Sequence, residues 1–177
     1  FLLSNNFSIE IKFNPNSEGF YNYVCDSGAQ LFMTGGGFNG GGGIYPDIGI
    51  GISDFMSDTP QYSGTCIQLE NKVIAVEFGN GSSGAYRYYS QEPIILDDMN
   101  HIILTFSSGD VKVYLNGEIA IEQSIPISNL DINSASKATL SARNVVPYGY
   151  YSHIKGSYSY FSIYDKALTD DDINNIL

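Results

Sequence analysis

Basic residues are scarce in this chain of 177 residues, which has 8 lysines and arginines against 19 aspartates and glutamates and a formal net charge of -11. The few basic residues form no cluster along the sequence. Proteins that bind the phosphate backbone of nucleic acids do so through patches of lysine and arginine. The charge pattern therefore predicts that nucleic acid is not a partner.

Long apolar runs are also missing. No stretch approaches the roughly 20 residues of a membrane-spanning helix, and the first residues lack the charged and then apolar regions of a signal peptide. We therefore expect no membrane insertion. The sequence begins at Phe1 rather than at a methionine. The length predicts that residues 1–177 form a single domain, and this start predicts that the domain belongs to, or is processed from, a longer polypeptide.

Cysteine and charge are both sparse, with two cysteines and only 15% charged residues. Cys25 and Cys66 are compatible with one disulfide or with two buried thiols, and neither alternative decides the redox compartment. Tyrosine and glycine, by contrast, are abundant at 14 and 19 residues. This composition is typical of β-structure with many turns and with polar, aromatic surfaces.

Motifs for nucleophilic catalysis and nucleotide binding are absent from the sequence. There is no Gly-x-Ser-x-Gly elbow, and neither His101 nor His153 belongs to a nucleophile motif. The glycine-rich segment from Thr34 to Gly43 is followed by Ile44-Tyr45-Pro46, not by the Lys-Ser/Thr of a phosphate-binding loop. Its glycines predict a loop, which is either a flexible turn or a loop that contacts a ligand.

The segment from His101 to Ile121 predicts three strands of a meander. Apolar residues alternate with polar ones in its second strand, and the turns between the strands are short. Ser107 to Asp110 has the composition of a hairpin loop, and Asn116-Gly117 supplies the two positive-φ residues of a type I′ turn. The residues that share a face are Ile102, Leu104 and Phe106, and then Val111, Val113 and Leu115.

Similar short runs occur along the whole chain, and their alternation predicts an all-β protein. Phe7 to Phe13 alternates without exception, and at least ten such runs are separated by Gly, Pro, Asn and Ser turns. At the C-terminus, Thr169 and Asp172 form a capping box, which predicts one short helix. The segment from Val145 to His153 is predicted to be an aromatic loop. Further strands are predicted at Tyr21–Cys25, Ala29–Met33, Ile48–Ile52, Cys66–Glu70, Lys72–Phe78, Ala85–Ser90, Ile94–Leu96, Lys137–Arg143 and Ile154–Asp165.

Two segments in the C-terminal two fifths resemble a known family. Asn-His-Ile-Ile-Leu-Thr-Phe at 100–106, followed by Val-Lys-Val-Tyr-Leu-Asn-Gly-Glu at 111–118, resembles the signature of laminin-G-like and pentraxin-like domains, and Gly156–Ile173 resembles their closing strand. The resemblance implies the concanavalin A-like lectin and glucanase superfamily. Its fold is an antiparallel two-sheet jelly-roll sandwich, here with a short C-terminal helix. Asn100 stands where those domains usually have Trp, and Asn116 where they usually have Asp.

A second resemblance concerns metal binding. The glycine-rich loop, the Gly-Ile-Gly-Ile strand and Val73–Asn80 resemble the order of segments in L-type lectins, whose Glu and Asp ligate structural metals. Glu77 occupies the Glu position, but Gly79 replaces the Asp, and hard divalent cations need several oxygen ligands. We therefore expect no cofactor and no calcium requirement for folding. Asp47 and Glu77 are the remaining metal candidates, and a single calcium ion bound weakly by Asp47 and Asn80 is the alternative.

The same superfamily includes retaining glucanases, which carry Glu-x-Asp-x-x-Glu on one strand because their two carboxylates must lie about 5 Å apart. Glu77 is followed instead by Phe78-Gly79-Asn80-Gly81. The sequence therefore predicts that this domain is not an enzyme. A glycoside hydrolase or lyase with carboxylates from separate strands is the alternative of lowest rank.

The loops have the chemistry of sugar binding, because tyrosines stack on sugar rings and Asn, Asp and amide groups bind hydroxyls. We expect a carbohydrate-binding or adhesion module of a larger secreted, cell-surface or virion protein, with a glycan or glycoprotein as partner. The alternative is a structural or oligomerisation domain of a fibre or capsid, in which the tyrosines pack against other copies or domains of the parent protein. The candidate glycan-binding residues are Asn39, Asp47, Asn80, Tyr86, Tyr148, Tyr150 and Tyr151.

Overall fold

A computed structural model describes residues 5–16, 29–34, 65–70, 72–79, 85–127, 139–140, 143–145, 149–151 and 156–177. These residues form short strands and one C-terminal helix, α1, at Asp170–Ile176. No helix in this part of the chain has the length and apolarity needed to cross a membrane. The strands are β1 Asn6–Pro15, β2 Ala29–Thr34, β3 Thr65–Glu70, β4 Val73–Gly79, β5 Ala85–Pro93, β6 Asn100–Ser107, β7 Asp110–Leu115, β8 Glu118–Ser124, β9 Thr139–Leu140, β10 Arg143–Val145, β11 Gly149–Tyr151 and β12 Gly156–Tyr164.

The strands build two antiparallel sheets of five strands each. The first sheet has the order β12-β1-β6-β7-β8, the second has the order β5-β4-β3-β2-β9, and β10 and β11 form a separate pair. The predicted meander is the succession β6, β7 and β8. The strand that resembles the closing strand of the family, β12, pairs with β1 in antiparallel register. The predicted all-β sandwich with a short C-terminal helix is confirmed.

The core lies between the two sheets and is filled by the apolar residues of the alternating strands. Phe7 of β1 stacks on Phe106 of β6 at a centroid distance of 5.3 Å. Phe106 also stacks on Phe78 of β4, in the second sheet, at 5.5 Å. All three rings are fully buried. The contact between Phe78 and Phe106 therefore joins the two sheets through aromatic packing.

The turns of the meander have the backbone geometry that the sequence predicts. Asn116 and Gly117 have φ values of 52° and 93°, and Ser108 and Gly109 have φ values of 49° and 104°. A Cβ at Gly109 would lie 2.5 Å from the backbone oxygen of Ile125. Glycine is therefore required at position 109 for both its conformation and its lack of a side chain.

The predicted strand at Ile94–Leu96 is wrong, because this segment is a loop held by Asn100. The Asn100 side chain accepts a hydrogen bond from Ile95 N at 2.8 Å and donates to Ile95 O at 2.6 Å and to Asp98 O at 3.0 Å. Asn100 is fully buried. A side chain that binds both backbone groups of Ile95 competes with the ladder of a sheet, so the short apolar run does not form a strand.

The predicted aromatic loop at Val145–His153 also needs correction. Asn144 of β10 pairs with Tyr150 of β11, and Arg143 pairs with Tyr151. The physical reason is that consecutive tyrosines have high β-propensity and a partner strand close by in the chain. Within the predicted strand Lys137–Arg143, the structure describes β9 and the start of β10. The predicted glycine-rich loop and the predicted strands Tyr21–Cys25 and Ile48–Ile52 lie outside the described residues.

The C-terminal segment covers part of the outer face of the first sheet. Helix α1 begins with the predicted capping box, in which Asp172 N donates to the Thr169 side chain at 3.1 Å and Thr169 N donates to the Asp172 carboxylate at 2.9 Å. This bonding, with the ammonium of Lys166, lowers the pKa of Asp172 to about 2. The apolar residues that seal the segment onto the sheet are Ile103, Tyr114, Leu168 and Ile173.

A buried carboxylate ties together three strands on the same outer face. Glu10 of β1, only 2% exposed, accepts a hydrogen bond from the Tyr164 hydroxyl of β12 at 2.6 Å. Its other oxygen lies 2.8 Å from Nε2 of His101 in β6 and 3.9 Å from Nζ of Lys12. Both carboxylate oxygens are therefore satisfied, which offsets the desolvation of the charge.

The His101 contact predicts a pH dependence of stability. Burial lowers the pKa of His101, and the charge of Lys12 lowers it further, while the hydrogen bond to Glu10 opposes the shift. Because its pKa is lower in the folded state, this histidine is protonated more readily in the unfolded chain, where its pKa is about 6.5. The folded state therefore keeps its full stability above that pH and loses stability as the pH falls below it. We expect the wild type to lose stability relative to His101→Gln between about pH 7.5 and pH 5 in urea unfolding. A relative gain of stability on acidification would contradict this assignment.

Candidate functional site

The second sheet carries polar side chains on the face directed away from the core. Neighbouring residues of a strand point to opposite faces, and alternate residues of β3 and β4, such as Ile67 and Val76, belong to the core. Residues paired across two strands share a face, and Glu77 pairs with Cys66 on one side and with Arg87 on the other. The outer face of this sheet therefore carries Cys66, Gln68, Ala75, Glu77, Arg87 and Tyr89.

Three of these residues form a connected series that we call the outer-face cluster: Glu77, Arg87 and Tyr89. Nε of Arg87 donates to Oε1 of Glu77 in an ion pair, and Nη1 of Arg87 donates to the Tyr89 hydroxyl at 3.1 Å. The Glu77 side chain is 2% exposed, that of Arg87 is 23% exposed, and Tyr89 is 46% exposed. The polar contacts therefore run from a buried carboxylate to an aromatic ring at the surface.

The charges of the outer-face cluster balance each other. Burying a carboxylate is unfavourable unless a cation and hydrogen bonds compensate for its lost hydration. Arg87 provides that compensation at Oε1 of Glu77, whereas Oε2 has no hydrogen-bond partner among the described residues. The neighbouring Cys66 and Gln68 are fully buried and uncharged, with the Cys66 sulfur 3.9 Å from Oε1 of Gln68. Among the side chains described on this face, the one cation is therefore paired with the one anion, and the cluster carries no net charge.

Tyr86, the one predicted glycan-binding residue whose side chain the structure describes, lies on the other side of β5. It is partly buried and packs against the core together with Tyr88. Burial raises the pKa of the Tyr88 phenol. Alternation along the predicted strand Ala85–Ser90 separates Arg87 and Tyr89 from Tyr86 and Tyr88, but it does not show which of the two faces is exposed.

The other predicted glycan-binding residues stay predictions. Asn39, Asp47, Asn80 and Tyr148 lie outside the described residues. Tyr150 and Tyr151 belong to β11, but their side chains are not among those described. Cys25, the second member of the predicted cysteine pair, also lies outside this part of the chain, so the disulfide is untested.

The described donors around Glu77 do not fit a metal site. One oxygen of Glu77 binds the Arg87 guanidinium, and a cation at this position opposes a second cation. Within the part of the chain that the structure describes, no group of three or more His, Cys, Asp and Glu residues is arranged to hold a metal ion. The expected independence from calcium, and the alternative site involving Asp47 and Asn80, both remain predictions.

The chain matches a family model along almost its whole length. The Laminin_G_3 model, described as concanavalin A-like lectin/glucanases superfamily, matches residues 2–174. No curated protein matches the chain in sequence. The family match and the observed sheet order agree with the two resemblances that the sequence showed on shorter segments.

Solved structures of low sequence identity share the fold. The CBM40 domain of Ruminococcus gnavus IT-sialidase, bound to α2,3-sialyllactose, has a TM-score of 0.61 and 16% identity over 97% of this chain and 82% of that chain. Domain 4 of AbnA, a GH43 extracellular arabinanase from Geobacillus stearothermophilus, in complex with arabinotriose, has a TM-score of 0.58 and 18% identity over 99% of this chain and 68% of that chain.

A heptameric SAP-like pentraxin from Limulus polyphemus has a TM-score of 0.62 and 12% identity over 98% of this chain and 70% of that chain. Other matched chains are much longer. This chain spans 40% of a matched Bacteroides ovatus chain and 35% of the receptor-binding domain of a botulinum neurotoxin. At these identities the likeness shows the fold.

Proposed function

Because the chain belongs to the concanavalin A-like lectin/glucanase superfamily, we propose that it is a non-catalytic carbohydrate-binding module whose outer-face cluster contacts the sugar. Two of the matched domains are described with an oligosaccharide bound, sialyllactose in one and arabinotriose in the other. The partner of this chain is accordingly a glycan or a glycoprotein.

The observation that carries the proposal is the half-exposed Tyr89 ring, whose hydroxyl is held by the partly buried Arg87 and, through it, by the buried Glu77. The C–H face of a sugar ring packs on the face of an aromatic ring, and the sugar hydroxyls bind polar groups at the edge of that ring. Arg87 fixes the Tyr89 hydroxyl, and Glu77 fixes Arg87. A ring that is already ordered loses less conformational entropy when a ligand binds.

The same cluster supports a binding role over a catalytic one. Hydrolysis of a glycosidic bond needs two carboxylates that flank the scissile bond, about 5 to 9.5 Å apart. Glu77 is the one carboxylate described on this face of the second sheet, and Arg87 holds it in an ion pair. A carboxylate that is paired in this way is a poor nucleophile, and no second carboxylate is described beside it on this face.

The proposed context follows from the family and from the sequence. We place the module, as one domain comprising residues 1–177, in a larger protein that acts outside the cell, at the cell surface or on a virion. Glycans are concentrated at those locations, and adhesion to them is the biological role that we infer.

A glycan array with matched tyrosine variants tests the proposal. Tyr89→Ala removes the ring of the outer-face cluster, whereas Tyr160→Ala removes a tyrosine of nearly equal exposure, 44% against 46%, on the outer face of the first sheet. The Tyr160 ring is covered by Nζ of Lys12 at 5.8 Å from its centroid. We expect Tyr89→Ala to weaken binding of the best glycan at least about tenfold, which is about 1.4 kcal/mol, and Tyr160→Ala to leave it unchanged.

Titration of that glycan by calorimetry measures the two affinities. Equal losses in the two variants, or full binding by Tyr89→Ala, would remove the outer-face cluster from the proposed function. Far-ultraviolet circular dichroism shows that each variant is folded.

A further inference from the structure

We propose that the outer-face cluster selects uncharged sugars over sugars that carry a carboxylate or sulfate. This inference rests on the proposed function, and it concerns the chemical class of the ligand at the same site. The matched domains do not decide the class, since one is described with an acidic and another with a neutral oligosaccharide.

The first argument is the charge balance inside the cluster. An anionic sugar is bound most strongly by a cation that has no other anion beside it. Arg87, the cation described on this face, is already paired with Glu77. A sugar carboxylate that took Arg87 away would leave Glu77, which is 2% exposed, as a buried charge without its cation. Such an exchange is strongly unfavourable.

The second argument is the charge of the whole chain. With 19 acidic and 8 basic residues, the chain has a formal charge of -11 and repels anions at distances beyond direct contact. Salt screens this repulsion over about 8 Å at physiological ionic strength. The affinity for an acidic sugar should therefore depend on salt, whereas the affinity for a neutral sugar should not.

The third argument is that a neutral sugar can use the cluster as it stands. Stacking on the Tyr89 ring needs no displacement of Arg87 from Glu77, because the hydrogen bond from Arg87 reaches the phenolic oxygen and not the ring face. The ion pair then serves to position the ring, and the sugar adds contacts without removing one. Glu77 and Arg87 act here as positioning residues for Tyr89.

The experiment is an array of matched pairs, in which each neutral oligosaccharide is printed beside the same oligosaccharide carrying sialic acid. The pairs include lactose with α2,3-sialyllactose, and arabinotriose is added as a further neutral probe. We expect the wild type to bind the neutral member at least about fivefold more tightly than its acidic partner. Between roughly 50 and 500 mM salt, the affinity for the neutral member should change less than about twofold.

A pair of charge-matched variants tests the role of the ion pair. Glu77→Gln removes the carboxylate that neutralises Arg87. We therefore expect the affinity for the neutral member, divided by the affinity for the acidic member, to fall about tenfold. Glu122→Gln removes one negative charge from a side chain that is 63% exposed on the first sheet. This variant matches the change in net charge, but the lost charge is exposed to solvent on the other sheet and is screened by salt, so the ratio should stay unchanged.

The outcomes separate the inference from the proposed function. Tighter binding of the acidic members by the wild type, with an affinity that falls as salt rises, would overturn the inference and leave the carbohydrate-binding function standing. The absence of binding to every printed glycan would overturn the proposed function itself. Should Glu77→Gln fail to fold, the paired measurements on the wild type still decide between neutral and acidic sugars.

Discussion

Replacing Arg87 with methionine should lower the free energy of unfolding by about 3 kcal/mol, since removing one partner of a buried ion pair commonly costs about 3–5 kcal/mol and Arg87 is partly exposed. The variant leaves the Glu77 carboxylate, with 2% of its side chain exposed, without the guanidinium that compensates for its burial. Urea unfolding at neutral pH measures the loss.

The double variant Glu77→Leu/Arg87→Met separates charge from packing. An apolar pair of similar volume often replaces a buried ion pair without loss of stability, so we expect the double variant to recover most of the 3 kcal/mol that the single variant loses, to within about 1 kcal/mol. Lys12→Met is the matched control, since Lys12 lies 3.9 Å from the buried Glu10, which keeps His101 and Tyr164 as partners. It should change stability by less than about 1 kcal/mol. If the single and double variants were equally unstable, the ion pair would not be the cause.

Replacing Asn100 with alanine should lower the free energy of unfolding by about 3 kcal/mol, because the three hydrogen bonds of its side chain are lost at about 1 kcal/mol each. The Asn100 side chain fixes the loop before β6 through its hydrogen bonds to Ile95 and Asp98. The Asn100 side chain itself is fully buried. Thermal unfolding followed by circular dichroism measures the shift.

Two further variants identify the hydrogen bonds as the cause. Asn100→Asp preserves size and the acceptor for Ile95 N, but it places a second oxygen against the carbonyls of Ile95 and Asp98. We therefore expect it to be at least as unstable as Asn100→Ala. Asn174→Ala, at an exposed position of helix α1, should stay within about 0.5 kcal/mol of the wild type. A stable Asn100→Asp would show that packing alone fixes the loop.

Asn100 also shows why a motif can predict a fold and miss the role of one of its residues. The family signature identified the strand that begins at this position, although Asn stands where Trp is usual. The three contacts of its side chain are made to residues two to five positions away in the chain. These contacts depend on the conformation of the loop, whereas the apolar run Ile94–Leu96 predicted a strand in its place.

Features that depend on near neighbours in the chain could be predicted from the sequence. Alternation with a period of two residues identified β1 and β4 and separated the two faces of β5, because successive side chains of a strand point in opposite directions. The Asn116-Gly117 turn and the Thr169 capping box were equally local, since each depends on residues within three positions of each other.

The face that carries the candidate site could not be predicted in this way, because it depends on contacts between distant parts of the chain. Glu77 and Arg87 lie 10 residues apart and meet through the register of β4 with β5, and Glu10 and His101 lie 91 residues apart and meet through the register of β1 with β6. Strand alternation specifies the two faces of β5 but not which of them packs against the first sheet, so the sequence pointed to Tyr86, whereas Tyr89 is the more exposed ring. The choice depends on packing between sheets, which no pattern of neighbouring residues encodes.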